Sequence, residues 1–223
     1  MLRFRLGSIP VRIQPTVLLV GVFVWFTTRS VEAAIVWTLA LVVAVLTHEL
    51  GHAVVVRRVG GEPQVTVWAL GGYTAWTPTP GIGPKQRFAI SGAGSALQLA
   101  IAATIWAAAA AGLLGAGLQS AFGTNPFTLA PGSLFAGPVI SFLAIVVYLG
   151  MVWSLFNWIP IPGLDGAHML EALLEARLDR ALARRAVIVV GLVAAAGIAG
   201  WLLWRGDRVL AVFVLVIAAA GIR

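Results

Sequence analysis

The sequence predicts an all-α polytopic membrane protein of about six transmembrane helices, with a short N-terminal β-hairpin and a membrane-associated edge strand near a cluster of ionisable residues. Three observations predict it. The composition is 60% hydrophobic against 10% charged, with a mean hydropathy of +0.97, which a water-soluble domain of 223 residues would not tolerate on its surface. The apolar residues fall in runs of helix length, and the arginines gather between them. Two short stretches instead alternate residue by residue, the signature of half-buried strands.

Leu2 to Gln14 alternates apolar and basic residues around Gly7-Ser8-Ile9-Pro10. This is a short amphipathic hairpin at the membrane surface, with Arg3, Arg5 and Arg12 toward lipid headgroups. Pro15 opens an apolar run to about Thr28 that is flanked like the core of a signal peptide. No small-residue cleavage site follows before Arg29, and a second apolar run starts almost at once, so the first run is assigned as a span. The second span covers about Ala33 to Arg58. From Gly60 to Pro84 the pattern turns to loop and strand: Gln64 to Leu70 alternates until Gly71-Gly72-Tyr73 breaks it, which predicts an edge strand.

A third span runs from about Arg87 to Leu114, and its Ser91-Gly92-Ala93-Gly94-Ser95-Ala96 start offers a small-residue face for close helix contact. Residues Gly115 to Gly132 carry no charge and form a loop on the far side of the membrane. The fourth span, about Ser133 to Trp158, ends in Asn157-Trp158-Ile159-Pro160-Ile161-Pro162-Gly163-Leu164-Asp165-Gly166. Two prolines and two glycines there forbid a continuous helix, and irregular backbone at that depth must be enclosed by protein or line a wet cavity. An amphipathic interfacial helix from His168 to Arg185 follows, then spans at about Ala186 to Trp204 and Val209 to Ile222. Trp68, Trp153 and Trp158 are expected as interface anchors.

Six spans put both chain ends on one side. That side carries Arg3, Arg5, Arg12, Arg57, Arg58, Lys85, Arg87, Arg177, Arg180, Arg184, Arg185 and Arg223, against Arg29, Arg205 and Arg208 on the other. The imbalance makes the termini and the basic end of the second span cytoplasmic. The net charge of +7 thus reads as topology and contact with anionic lipid, and no nucleic acid is expected. The chain is expected to be a single domain, with a core over about residues 14–185, two further spans over 186–223, and no fused soluble domain.

The chemistry lies in one turn of the second span, Thr47-His48-Glu49-Leu50-Gly51-His52. On an α-helix, histidines at i and i+4 project from one face, so His48 and His52 can hold one ion with Glu49 beside it. The bland alternative is a pair of core histidines with satisfied hydrogen bonds. Against it, each ionisable group at bilayer depth costs about 2.5–3.5 kcal/mol on insertion scales, and three cluster here. Zinc suits the donor type, and with no cysteine in the chain a third ligand must be a carboxylate or the remaining histidine. Asp165 is the best candidate, since it follows the broken end of the fourth span. Arg57 lies nine residues past His48, so the turn sits roughly 14 Å below the basic end of its helix at 1.5 Å per residue.

His48-Glu49-Leu50-Gly51-His52 together with Asn157-x-x-Pro160-x-Pro162-x-Leu164-Asp165-Gly166 resembles the site-2 protease family of intramembrane metalloproteases. The similarity extends from the N-terminal hairpin to the helix after Asp165. The resemblance implies one Zn2+ held by His48, His52 and Asp165, Glu49 as general base, and Asn157 near the scissile carbonyl. It also implies a substrate-adjacent strand that includes Val67 and ends in Gly71 and Gly72. His168, three residues past Asp165, is read from its position as a residue beside the metal shell or at the surface. One departure is Ala96, where many members carry an asparagine four residues after the glycine matching Gly92.

The expected reaction is hydrolysis of a transmembrane segment of a membrane-anchored protein, near the cytoplasmic side of the cell membrane. Zinc acidifies a water, Glu49 takes its proton, and the substrate must locally unwind to expose a carbonyl. A metal transporter would need polar groups continuing to the opposite face, and the outward halves of these spans have almost none. A catalytically silent zinc-binding scaffold would share the ligand set. Substrate identity and oligomeric state are not encoded in these motifs.

Overall fold

The computed structural model describes residues 1–69, 71–77, 81–122, 125–127 and 137–222. Leu70 at the end of the predicted strand, residues 123–124 and 128–132 of the far loop, the start of the fourth span at Ser133, and Arg223 lie outside the described residues. The chain divides into two compact units, Met1–Thr79 with Ala93–Ser154, and Pro80–Gly92 with Leu155–Arg223.

In the first unit β1 (Leu2–Leu6) and β2 (Ile9–Ile13) form the N-terminal hairpin, antiparallel with Phe4 opposite Val11. Gly7 turns it at φ +58, a left-handed conformation that glycine adopts without steric penalty. A short 3-10 turn at Pro15–Val17 leads into α1 (Leu18–Thr28) and α2 (Val31–Arg58). The chain then returns as β3 (Pro63–Trp68) and β4 (Gly71–Trp76), giving a sheet ordered β1-β2-β3-β4. β2 and β3 are parallel, with Val11 beside Val65, and such a pair needs a long crossover; here it is α1 and α2 together.

This order corrects one expectation. The alternating stretch from Gln64 lies in an inner strand, β3, with β2 on one edge and β4 on the other, and the outer strands are β1 and β4. Alternation shows which side chains are buried, whereas the hydrogen-bonding neighbours of a strand depend on segments remote in sequence. The buried side chains Ile9, Val11, Val65 and Val67 form one core with Val45 and Ala53 of α2. The sheet therefore lies on the helix that carries the ionisable turn.

The remaining helices are α3 (Pro84–Ala110), α4 (Ala116–Phe122), α5 (Pro138–Asn157), α6 (Asp165–Leu174), α7 (Arg180–Trp204) and α8 (Arg208–Ala220). Ala102 and Ala109 of α3 pack with Ala144, Val147 and Met151 of α5 and Phe122 of α4. Val36 and Ala40 of α2 meet Ile145 and Val146 of α5. The small-residue start of the third span does bring helices close: a Cβ on Gly51 would strike the Ala93 carbonyl and come within 2.8 Å of Gly94 Cα.

Within the second unit, the interfacial helix expected from His168 to Arg185 is interrupted. α6 stops at Leu174, and Asp179 caps a new helix by accepting from the Leu182 N–H at 3.0 Å. Between them the buried Glu175 carboxylate pairs with Arg87 and, at 3.6 Å, with Arg180. α7 is thus continuous from Arg180, Arg184 and Arg185 in its first two turns into the apolar run. Ile161 and Leu164 of the proline-broken stretch share a core with Ala195, Ala199 and Leu202 of α7 and Ala211, Val214 and Ala218 of α8.

Among the described residues, α2, α3, α5 and α7 are long and apolar enough to cross a membrane, while Pro15–Thr28 and α8 are apolar but shorter. At 1.5 Å per residue, the 13 residues of α8 reach about 20 Å, less than the ~30 Å hydrocarbon layer. The chain is an integral membrane protein, mostly helical, with one small sheet.

Candidate metal centre

α2 is an unbroken 28-residue helix, begun by Ser30, whose hydroxyl accepts from the Ala33 N–H at 3.1 Å. Glu32 lies in its first turn and Arg57 and Arg58 in its last, each of the sign the helix dipole favours. Because the helix is regular through residues 48–52, the two histidines stack one turn apart as the spacing predicts. Their Nε2 atoms are 3.1 Å apart and their rings lie at 79°. His48, Glu49 and His52 are all buried.

That separation fits a metal. Two nitrogens each about 2.0–2.1 Å from one tetrahedral zinc stand roughly 3.3 Å from each other, close to what the pair already holds. The seat for His52 is Gly94 of α3, where a Cβ would overlap the imidazole Nε2. In the sequence Gly94 shows only as one residue of the small-residue packing face.

Glu49 faces the sheet. In β4, residues 72 and 74 share a face, and they sit opposite Val67 and Val65, whose side chains are buried against α2. Gly72 and Thr74 are therefore the inward positions of the outer strand. A Cβ on Gly72 would come within 2.7 Å of Glu49 Cγ and 2.9 Å of Oε1. The Thr74 hydroxyl lies 2.7 Å from Glu49 Oε2 and 3.0 Å from the Glu49 carbonyl oxygen. Thr74 was missed in the sequence, where a lone threonine in a turn-rich stretch carries no signal.

In the second unit, Asn157 is the buried last residue of α5, and the half-buried Asp165 opens α6. An acidic residue in a helix's first turn is favoured by the dipole. The glycine after it is a packing requirement: a Cβ on Gly166 would overlap the carbonyl oxygens of Trp158 and Ile159. Gly191 of α7 leaves room in the same way for Pro160 and Pro162, and Gly221, just past α8, for Pro162 and Gly163. The two last helices, which carried no recognisable motif, thus hold the Pro160–Gly163 turn that sets where Asp165 begins its helix.

His48 and His52 in the first unit and Asp165 in the second each offer a ligand atom of a kind that zinc takes. Val67 is fully buried in the core between sheet and α2, and both backbone edges of its strand are taken, so it offers no surface to a substrate. His168 has a side chain 66% exposed, with Nδ1 4.0 Å from the Glu171 carboxylate one turn on, which makes it a surface residue.

Comparison with known proteins adds three findings. The sequence profile of peptidase family M50 matches residues 36–199. The protein named as zinc metalloprotease Rip3, in two strains of Mycobacterium tuberculosis, is 34% identical over 158 residues, 68% of this chain. The chain spans only 35% of the length of those relatives. The solved structure of the site-2 protease from Methanocaldococcus jannaschii shares the fold, with a TM-score of 0.64 at 20% identity, covering 100% of this chain and 95% of that one.

Proposed function

Because this chain belongs to peptidase family M50, we propose that it is a zinc-dependent intramembrane endopeptidase that hydrolyses transmembrane segments of membrane-anchored proteins. His48, His52 and Asp165 hold one zinc ion, and the observation that carries the reading is the 3.1 Å spacing of the two imidazole nitrogens beside a buried carboxylate. The zinc supplies a Lewis acid that polarises a carbonyl and acidifies water. Glu49 takes a proton from the attacking water and returns it to the departing amine. Asn157 donates its amide N–H to the oxygen of the scissile carbonyl as charge develops there.

The substrate helix must unwind before any carbonyl is reachable, and the unwound strand needs partners for its backbone groups. The outer strand β4, with Gly71 and Gly72 at its start, supplies them by strand addition. α1 and α8 complete a set of six spans with both termini and access to the site on the cytoplasmic side of the cell membrane. The whole chain then acts as one protease domain, on substrates already shortened by another protease.

Replacing Glu49 with Gln and comparing membrane proteomes tests this. The expected result is a membrane-anchored fragment that accumulates in Glu49→Gln, while the variant keeps one zinc per chain. Identical proteomes under several stresses, with zinc retained, would leave a silent scaffold as the better account.

A further inference from the structure

We infer that Thr74 is a positioning residue for Glu49, fastening the base to the strand that receives the substrate. The inference rests on Glu49 acting as the base. A glutamate has three side-chain torsions, and a base works only while its carboxylate stays within hydrogen-bond reach of the water it deprotonates. Here Glu49 is restrained twice by β4. The Thr74 hydroxyl has one proton, and of its two acceptors the Glu49 Oε2 at 2.7 Å is nearer than the carbonyl oxygen at 3.0 Å. Gly72 meanwhile leaves the space that the Glu49 Cγ and Oε1 occupy, with Val45 Cγ1 against the same gap.

Both restraints follow from strand register. Residues 72 and 74 point toward α2 because they pair with Val67 and Val65, and a slip by one residue would present Tyr73 instead. A substrate strand added to the outer edge of β4 is held by the same backbone that holds the base. Distance between scissile carbonyl and carboxylate is thereby fixed by one element.

Two measurements on the full chain test the inference. In zinc-free protein, the fall in Tm for Thr74→Val and for Glu49→Ala should sum to a few degrees more than the fall for the double variant, because both singles break one hydrogen bond. Additive shifts would show that the hydroxyl does not hold the carboxylate and would overturn the inference whatever the enzyme does. In detergent, with the membrane protein that accumulates in Glu49→Gln as probe, Thr74→Val should lower kcat roughly 10- to 100-fold. KM and zinc content should stay at the parent value, and Thr74→Ser should recover kcat to within about threefold.

A parent-like kcat in Thr74→Val, or an equal loss in Thr74→Ser, sinks the positioning role. If Glu49→Gln itself turns over or no substrate accumulates, the general-base reading fails, and the Tm cycle still decides the contact.

Discussion

Gly94 and His52 show how a residue without a side chain can set the place of an imidazole. The imidazole occupies the volume that any Cβ at 94 would claim, so Gly94→Ala must rotate the ring away from His48. Zinc affinity is expected to fall about 10- to 100-fold, the range seen when a ligand's supporting contact is lost. Competition with a coloured chelator measures it, and unchanged far-UV circular dichroism excludes unfolding. The histidines and Glu49 were legible in sequence because a one-turn spacing is a local property of a helix. Gly94 and Thr74 were not, because they reach residues 48–52 through a helix crossing and a strand register. His168 is close to Asp165 in sequence, and its ring leans to the surface toward Glu171.

Among the elements, α2 is specified locally and β3 is not. Ser30 caps α2, and Ser30→Ala is expected to destabilise the protein by about 0.5–2 kcal/mol, read as a lower Tm with zinc stoichiometry unchanged. α7 makes the opposite case. Gly191 lies against the Pro160 carbonyl and Pro162, so Gly191→Val should push the proline turn outward and cost about 1–3 kcal/mol. Unlike Ser30→Ala, it should also reduce the zinc bound per chain, since the displaced turn leads into Asp165. Zinc content equal to the parent's would mean that α7 is scaffolding without influence on the metal.

For the chain as a whole, the proposed zinc would draw its ligands, His48, His52 and Asp165, from distant parts of the sequence. Anything that binds only the folded state stabilises it, by about 2.7 kcal/mol when free ligand is 100 times its Kd. Removing zinc by chelation should therefore lower the Tm in detergent, and readdition should restore it. In Asp165→Ala the Tm should respond far less to zinc, because two imidazoles alone make a weak site. An Asp165→Ala protein that answers to zinc as the parent does would remove the aspartate from the ligand set.

By itself the sequence determined that the chain lives in a membrane, roughly where its four long apolar helices run, and which turn carries histidines and a carboxylate, but not the short helix α4 inside the stretch expected as loop. These are consequences of composition and of a period of 3.6 residues, both readable within a few turns. Only the tertiary structure decided that β4 and not β3 is an outer strand, that Gly72 and Thr74 close on Glu49, and that Gly191 and Gly221 seat the proline turn. Each depends on which remote backbone passes within van der Waals distance, and no local pattern encodes a neighbour that arrives from elsewhere in the chain.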